Sequence, residues 1–364
     1  MLKRFSVTNF KGFKDRIELD LSFHKNYEFN NFAIKNDIIK DCIIYGPNGC
    51  GKSNIGFALF DIVNHLTQKM KYPQAYDHAI YVGNPNGLMK FEYCFDLDEK
   101  ELLYKYAKNS KNELIEESLS YNGKEVFSRA PEFFSINKEE YAISTDVEES
   151  FRSSNVSVIG FLLASFPVPQ DHYLIKLKRF VDSMLWFRCL EDRGFIGLKT
   201  QPQVLDEFII ENNLVEDFEK FLFEVSSQKF SFVTPQKGDK FLQCTIEGKT
   251  TLFRNIISTG TSSLELLYYW MKNLNQVSLL FIDEFDAFYH FKLSSEVCKR
   301  LCSLDCQVIL TSHNTYLMSN DLLRPDCNLI IDGKTIRPLC NCTDKELRWA
   351  HNIEKLFRGG AFDQ

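Results

Sequence analysis

The sequence lacks an excess of positive charge. Its 364 residues include 43 Lys and Arg against 49 Asp and Glu, a formal net charge of −6. A general basic coat for nucleic acid is thereby excluded, although a local basic groove is not. There is no C-x-x-C pair among 11 cysteines. That pattern suits a reducing cytosol, with most thiols acting as small buried apolar groups. Cys298, Cys302 and Cys306 come nearest to a metal pattern, but no His or fourth ligand adjoins them, and they read as one packed helix face. Long apolar runs are also missing. The longest uncharged apolar stretch, near Val156 to Val168, falls short of the roughly 20 residues that cross a bilayer. The opening Met-Leu-Lys-Arg-Phe-Ser-Val has no apolar export core. The expectation is a soluble, cytoplasmic chain with no membrane partner. Heptads, 20–50-residue repeats and low-complexity tracts are absent too.

What is present reads as an α/β chain. Residues 3–9 and 15–22 alternate like strands about a turn at Lys11-Gly12-Phe13. The apolar strand Cys42–Tyr45 runs into a Gly-rich turn and a helix expected over Lys52–Met70, whose apolar residues recur at helical spacing. Strand-like patterns fill 90–127. The segment 92–150 carries 15 acids and 7 bases, which marks an acidic flap facing solvent or a basic partner. Residues 150–225 read as helical, including Tyr173–Phe187 and Leu205–Glu224. Strands follow at 229–234 and 240–246, then a helix over Ser262–Asn273. The last third alternates strand 278–282, helix 289–304, strand 306–310 and strand 327–332, before a helical tail over Asp344–Phe357.

Four motifs carry chemistry. Gly46-Pro47-Asn48-Gly49-Cys50-Gly51-Lys52-Ser53 fits G-x-x-x-x-G-K-S, with a strand before it and a helix after it. Its glycines let backbone N–H groups and a helix N-terminus meet phosphate. Lys52 would reach the β- and γ-phosphates of ATP, and Ser53 would ligate Mg2+. The strand Leu279–Ile282 delivers Asp283 and Glu284 at its C-terminal edge, Asp283 for Mg2+ or its water and Glu284 to take a proton from the attacking water. Thr311-Ser312-His313-Asn314 follows another strand and places His313 at the same edge, able to donate to the γ-phosphate or the water. Ile257-Ser258-Thr259-Gly260-Thr261 opens a helix and offers a hydroxyl and free N–H groups to an anion.

This order of motifs resembles the ATP-binding-cassette class of P-loop ATPases. Asn9-Phe10-Lys11-Gly12-Phe13 and Asp283-Glu284-Phe285-Asp286-Ala287 are most similar to SMC, RecF and OLD-like heads. Within these, the sequence is similar to short bacterial ATPases of anti-phage defence operons, including the ATPase subunit of PARIS-type systems. The shared features include the tail from Thr343 through His351-Asn352-Ile353-Glu354 to Gly360-Ala361-Phe362. The resemblance implies a P-loop ABC-type ATPase head with an N-terminal antiparallel β layer and an inserted helical lid. The segments are then 1–95 (first half of the core), 96–250 (the insert) and 251–364 (second half of the core). It also implies a homo-oligomer in which two heads sandwich ATP. Ser258 and Gly260 of one copy would face the γ-phosphate held by Lys52 of the other, and Asp286–His290 would cross the interface. The signature departs from Ser-Gly-Gly-Gln, and His290 stands where many relatives carry Asp. Gln74 is a glutamine-loop candidate by position alone.

A transporter cassette does not suit that signature, and an SMC motor does not suit an insert without a coiled coil. Two biological readings stay open. One is an ATP-gated sensor or scaffold controlling a separate effector protein in anti-phage defence. The other is a RecF-like DNA clamp using Lys3, Arg4, Lys11, Lys14 and Arg16, or Lys176, Lys178 and Arg179.

Overall fold

The computed structural model describes residues 1–67, 76–152, 155–188, 195–197 and 204–362. Two seven-stranded sheets organise them. The first is antiparallel throughout, in the order Phe133–Ile136, Lys124–Ala130, Leu114–Tyr121, Lys100–Lys108, Met89–Leu97, Leu2–Thr8, Ile17–Asp20. Its pattern is the two-residue alternation of a half-buried sheet: Phe91, Tyr93 and Phe95 are buried, whereas Lys90, Glu92 and Asp96 face the other way.

The second sheet has five parallel strands in the order Leu185–Arg188, Leu279–Asp283, Gln307–Ser312, Asp41–Tyr45, Asn328–Ile331. Antiparallel strands Phe195–Gly197 and Ile336–Pro338 close its two edges. Every residue of Asp41–Tyr45, Leu279–Asp283 and Gln307–Ser312 is buried, as expected of strands covered on both faces. Parallel pairing aligns their C-terminal ends, so the chain leaves Tyr45, Asp283 and Ser312 along one edge. One strand, Gln307–Ser312, lies between the other two.

Gln307 stitches the two sheets together. Its side chain accepts from the Leu2 N–H at 3.0 Å and donates to the carbonyls of Leu2 (2.9 Å) and Ile39 (3.0 Å), all in the buried interior. Gln307→Ala leaves these main-chain groups unpaired. The expected loss is about 3 kcal/mol of stability, read from the urea unfolding midpoint.

The structure differs from the sequence expectations at several elements. The helix expected over Lys52–Met70 is two helices, Lys52–Leu59 and Asp61–Leu66, and Met70 lies outside the described residues. The break has a cause in the first sheet. The Tyr93 hydroxyl takes up the carbonyls of Ala58 and Leu59, and Val63 N–H turns to Phe60 O instead. The helix expected over Tyr173–Phe187 stops at Asp182, and Leu185–Arg188 pairs in parallel with Leu279–Asp283 as a core strand. Trp186 decides this, because its ring packs on Phe57, Phe60 and Phe281 from the adjoining helix and strand. Position 95/96 falls inside strand Met89–Leu97, and the first sheet runs on through Ile136. The helices Thr145–Phe151, Val158–Ser165 and Tyr173–Asp182 therefore lie between two stretches of sheet. Strands expected at 229–234 and 240–246 become a hairpin, Gln243–Ile246 with Lys249–Leu252, plus a single bridge from Phe232 to Cys244. The tail forms one short helix, Ile353–Arg358, capped by Asn352. Cys298, Cys302 and Cys306 are buried. Among the described residues no group of three or more His, Cys, Asp or Glu side chains is placed to hold a metal ion. No helix of the described residues is long and apolar enough to cross a membrane.

Candidate nucleotide-binding site

The Gly-rich loop joins strand Asp41–Tyr45 to helix Lys52–Leu59. Pro47, Asn48 and Gly49 are exposed at its open side, whereas Cys50 is buried and its thiol is pushed up by that burial. Gly51 has φ +100°, and a Cβ there would stand 2.6 Å from the Phe13 ring. Only glycine meets both demands. The N-terminal turn therefore supports the loop from beneath. Phe13 lies against Gly51, and the Lys11 ammonium sits 4.5 Å from the centre of the Phe57 ring. Asn9, buried with φ +59°, anchors that turn by donating to the carbonyls of Asn84 and Leu88.

Lys52 is buried, and its ammonium donates to the carbonyls of Gly46 (2.9 Å) and Pro47 (3.2 Å). Among the described residues no carboxylate pairs with it. A buried cation without an anion is costly. A phosphate would supply that charge, so these residues fit a nucleoside triphosphate. Ser53 opens the same helix, half-buried.

His313 Nδ1 lies 3.4 Å from Lys52 Nζ, and its Nε2 lies 3.3 Å from Glu284 Oε1. An ammonium only donates, so Nδ1 is assigned as the acceptor and Nε2–H as the donor to Glu284. The line Lys52, His313, Glu284 spans the C-terminal ends of three strands. Asp283 is buried beside it, with Oδ1 accepting from the Thr311 hydroxyl at 2.8 Å. Glu284 has φ +46°, the left-handed region, and its N–H donates to the same hydroxyl at 2.7 Å. Asp286 Oδ1 accepts from Ser312 at 2.8 Å, and burial raises its carboxyl above the ordinary range despite that bond.

Ser258 and Gly260 form a second group. Ser258 caps helix Thr259–Asn273, accepting from the Thr261 N–H at 3.2 Å. Gly260 lies against the loop Asp286–His290, where a Cβ would stand 3.0 Å from the Phe288 carbonyl oxygen. The Tyr289 hydroxyl meets Ser263 Oγ at 2.9 Å, and His290 caps helix Phe291–Cys302. The structure thus joins Lys52, His313, Glu284, Asp283 and Thr311 in one place. It sets Gly260, at the start of the helix capped by Ser258, against the Asp286–His290 loop. Gln74 lies outside the described residues.

A P-loop follows a central parallel strand, and two acids and a histidine leave the neighbouring strand ends. This is the arrangement of a P-loop nucleotide-binding fold.

Residues 197–319 match a family model described as "AAA domain, putative AbiEii toxin, Type IV TA system". That span takes in Ser258, Gly260, Asp283, Glu284 and His313 and leaves out the loop Gly46–Ser53. No curated protein matches the chain in sequence. Similar solved structures include an SMC head bound to the C-terminal winged-helix domain of ScpA, at 15% identity over 92% of this chain and 96% of that one, with a TM-score of 0.47. An SMC head domain from Thermotoga maritima is 17% identical over 93% and 98% of the two chains, with a TM-score of 0.44. A head with an extended coiled coil, bound to the C-terminal domain of ScpA and derived from Pyrococcus furiosus, is 13% identical over 92% and 95%, with a TM-score of 0.44.

Proposed function

We propose that the chain binds and hydrolyses ATP as an ABC-class ATPase, and that it acts as an oligomeric sensor or scaffold controlling a separate effector protein in bacterial anti-phage defence. The observation that carries the ATPase reading is the convergence of His313 and Glu284, each just beyond a strand end, on the buried ammonium of Lys52, which among the described residues pairs with no carboxylate. Lys52 binds the β- and γ-phosphates. Glu284 takes the proton of the attacking water, and His313 orients Glu284 through its Nε2–H. Ser53 and Asp283 would hold Mg2+, which supplies neutralisation of the phosphate oxygens when bound. The rest is positioning and charge stabilisation, with no covalent intermediate on the protein.

The sandwich reading assigns Ser258 and Gly260 of a second copy to the γ-phosphate. Its support is that Gly260 packs against Phe288 of the Asp286–His290 loop, the loop this reading assigns to the interface. The defence role is supported by the sequence resemblance and by the description of the family matching residues 197–319. A cytoplasmic location goes with both. The DNA-clamp reading has less support. Lys3 and Arg4 meet Glu101, Arg16 meets Glu18 and Glu92, Lys176 meets Asp98, and Lys178 meets Asp182. Carboxylates on the same surface thus already occupy much of the basic charge that reading needs.

Light scattering of Glu284→Gln with and without Mg-ATP tests the assembly. A doubling of mass on adding Mg-ATP is expected. A monomer under both conditions overturns the sandwich, and failure of the wild type to release phosphate from ATP overturns the ATPase.

A further inference from the structure

We propose that Thr311 is a positioning residue that sets the geometry of both Asp283 and Glu284, an inference that rests on the ATPase reading above. The pairing of Leu279–Asp283 with Gln307–Ser312 runs in register only from Leu279–Gln307 to Ile282–Leu310. The two acids come after that last pair, where the ladder between these strands no longer holds the backbone. Thr311, fully buried, takes over with its side chain and its carbonyl. Its hydroxyl donates to Asp283 Oδ1 at 2.8 Å and accepts from the Glu284 N–H at 2.7 Å. Its carbonyl accepts from the Phe285 N–H at 3.2 Å. Three consecutive residues are thus fastened to one residue of the neighbouring strand.

The fastening matters because of the conformation it holds. Glu284 has φ +46°, which a side-chain-bearing residue keeps only when its surroundings impose it. That conformation turns the Glu284 carboxylate toward His313, two residues beyond Thr311 on the same chain segment. Ser312 adds a second tie by donating to Asp286 at 2.8 Å. A hydroxyl is the group required at position 311, because it donates and accepts at once from a fully buried site. Valine has threonine's shape and neither capacity. Serine has both capacities and lacks only the methyl.

Thr311→Val is expected to lower kcat about 100-fold, the order that a small misplacement of a catalytic group costs, while leaving KM for ATP within about threefold. Thr311→Ser is expected to stay within about threefold of wild type. In a Glu284→Gln background, Thr311→Val should cost less in single-turnover rate than it does in the wild type, because the part that acts through Glu284 is already removed and only the part through Asp283 is left. An unchanged kcat in Thr311→Val, or an equal loss in the valine and serine variants, overturns the proposal. A crystal structure of Thr311→Val decides the same point without turnover. Glu284 is expected to leave the left-handed region and its carboxylate to move away from His313; retention of both overturns the positioning role. A wild-type protein that binds ATP without hydrolysing it counts against the ATPase reading alone, and the crystal structure then still decides the role of Thr311.

Discussion

Glu284→Gln should bind Mg-ATP as tightly as the wild type and hydrolyse it about 1000-fold more slowly, within the range that general-base removal costs. The substitution is nearly isosteric. The bond from Glu284 to Thr311 uses the main-chain N–H, so the left-handed turn stays anchored. A glutamine carbonyl oxygen still accepts from His313 Nε2–H in place of the carboxylate oxygen 3.3 Å away. The Lys52 cradle on the Gly46 and Pro47 carbonyls is untouched, so affinity is preserved. What is lost is the capacity to take a proton from water as it attacks. Single-turnover phosphate release measured beside nucleotide affinity separates the two effects. A rate within about threefold of wild type would place the base elsewhere.

Lys108→Met should destabilise the fold by about 4 kcal/mol, by leaving a buried carboxylate without its cation. Lys108 Nζ and the Tyr106 hydroxyl each meet Asp61 Oδ2 at 2.7 Å, and the Lys108 and Asp61 side chains are only 5% and 2% exposed. Water cannot replace the lost partner at that depth. Asp61 opens the second helix after the Gly-rich loop, so this pair fastens the first sheet to the helices that carry Lys52. The double variant Asp61→Asn with Lys108→Met removes the stranded charge and should recover at least half of the loss in urea unfolding. If the single and double variants unfold at the same midpoint, lost packing rather than a stranded charge is the cause.

The candidate site was legible because its motifs are local. G-x-x-x-x-G-K-S states its backbone requirement in its own glycines, and an apolar run ending in Asp-Glu places both acids at a sheet edge wherever that strand lies. His313 was legible for the same reason. Thr311 was not, since nothing in Thr-Ser-His-Asn says that the first hydroxyl reaches across to the acids of another strand. The turn Asn9–Phe13 was recognised by resemblance, and its physical task, filling the space beneath Gly51 with the Phe13 ring, required the packed structure. Leu185–Arg188 was misjudged as helix because a short apolar run carries no decisive period.

By itself the sequence determined the α/β character, the Gly-rich turn between strand and helix, and the placing of two acids and a histidine just beyond strand ends, because each follows from contacts among residues a few positions apart. Tertiary structure alone decided the strand order that brings Lys52, His313 and Glu284 together. It also decided the break at Phe60 imposed by Tyr93, the strand at Leu185–Arg188, and the hold of Thr311 on Asp283 and Glu284. Each of these depends on which distant segment fills a buried space or pairs with a buried polar group, and that competition is settled only once the whole core has packed.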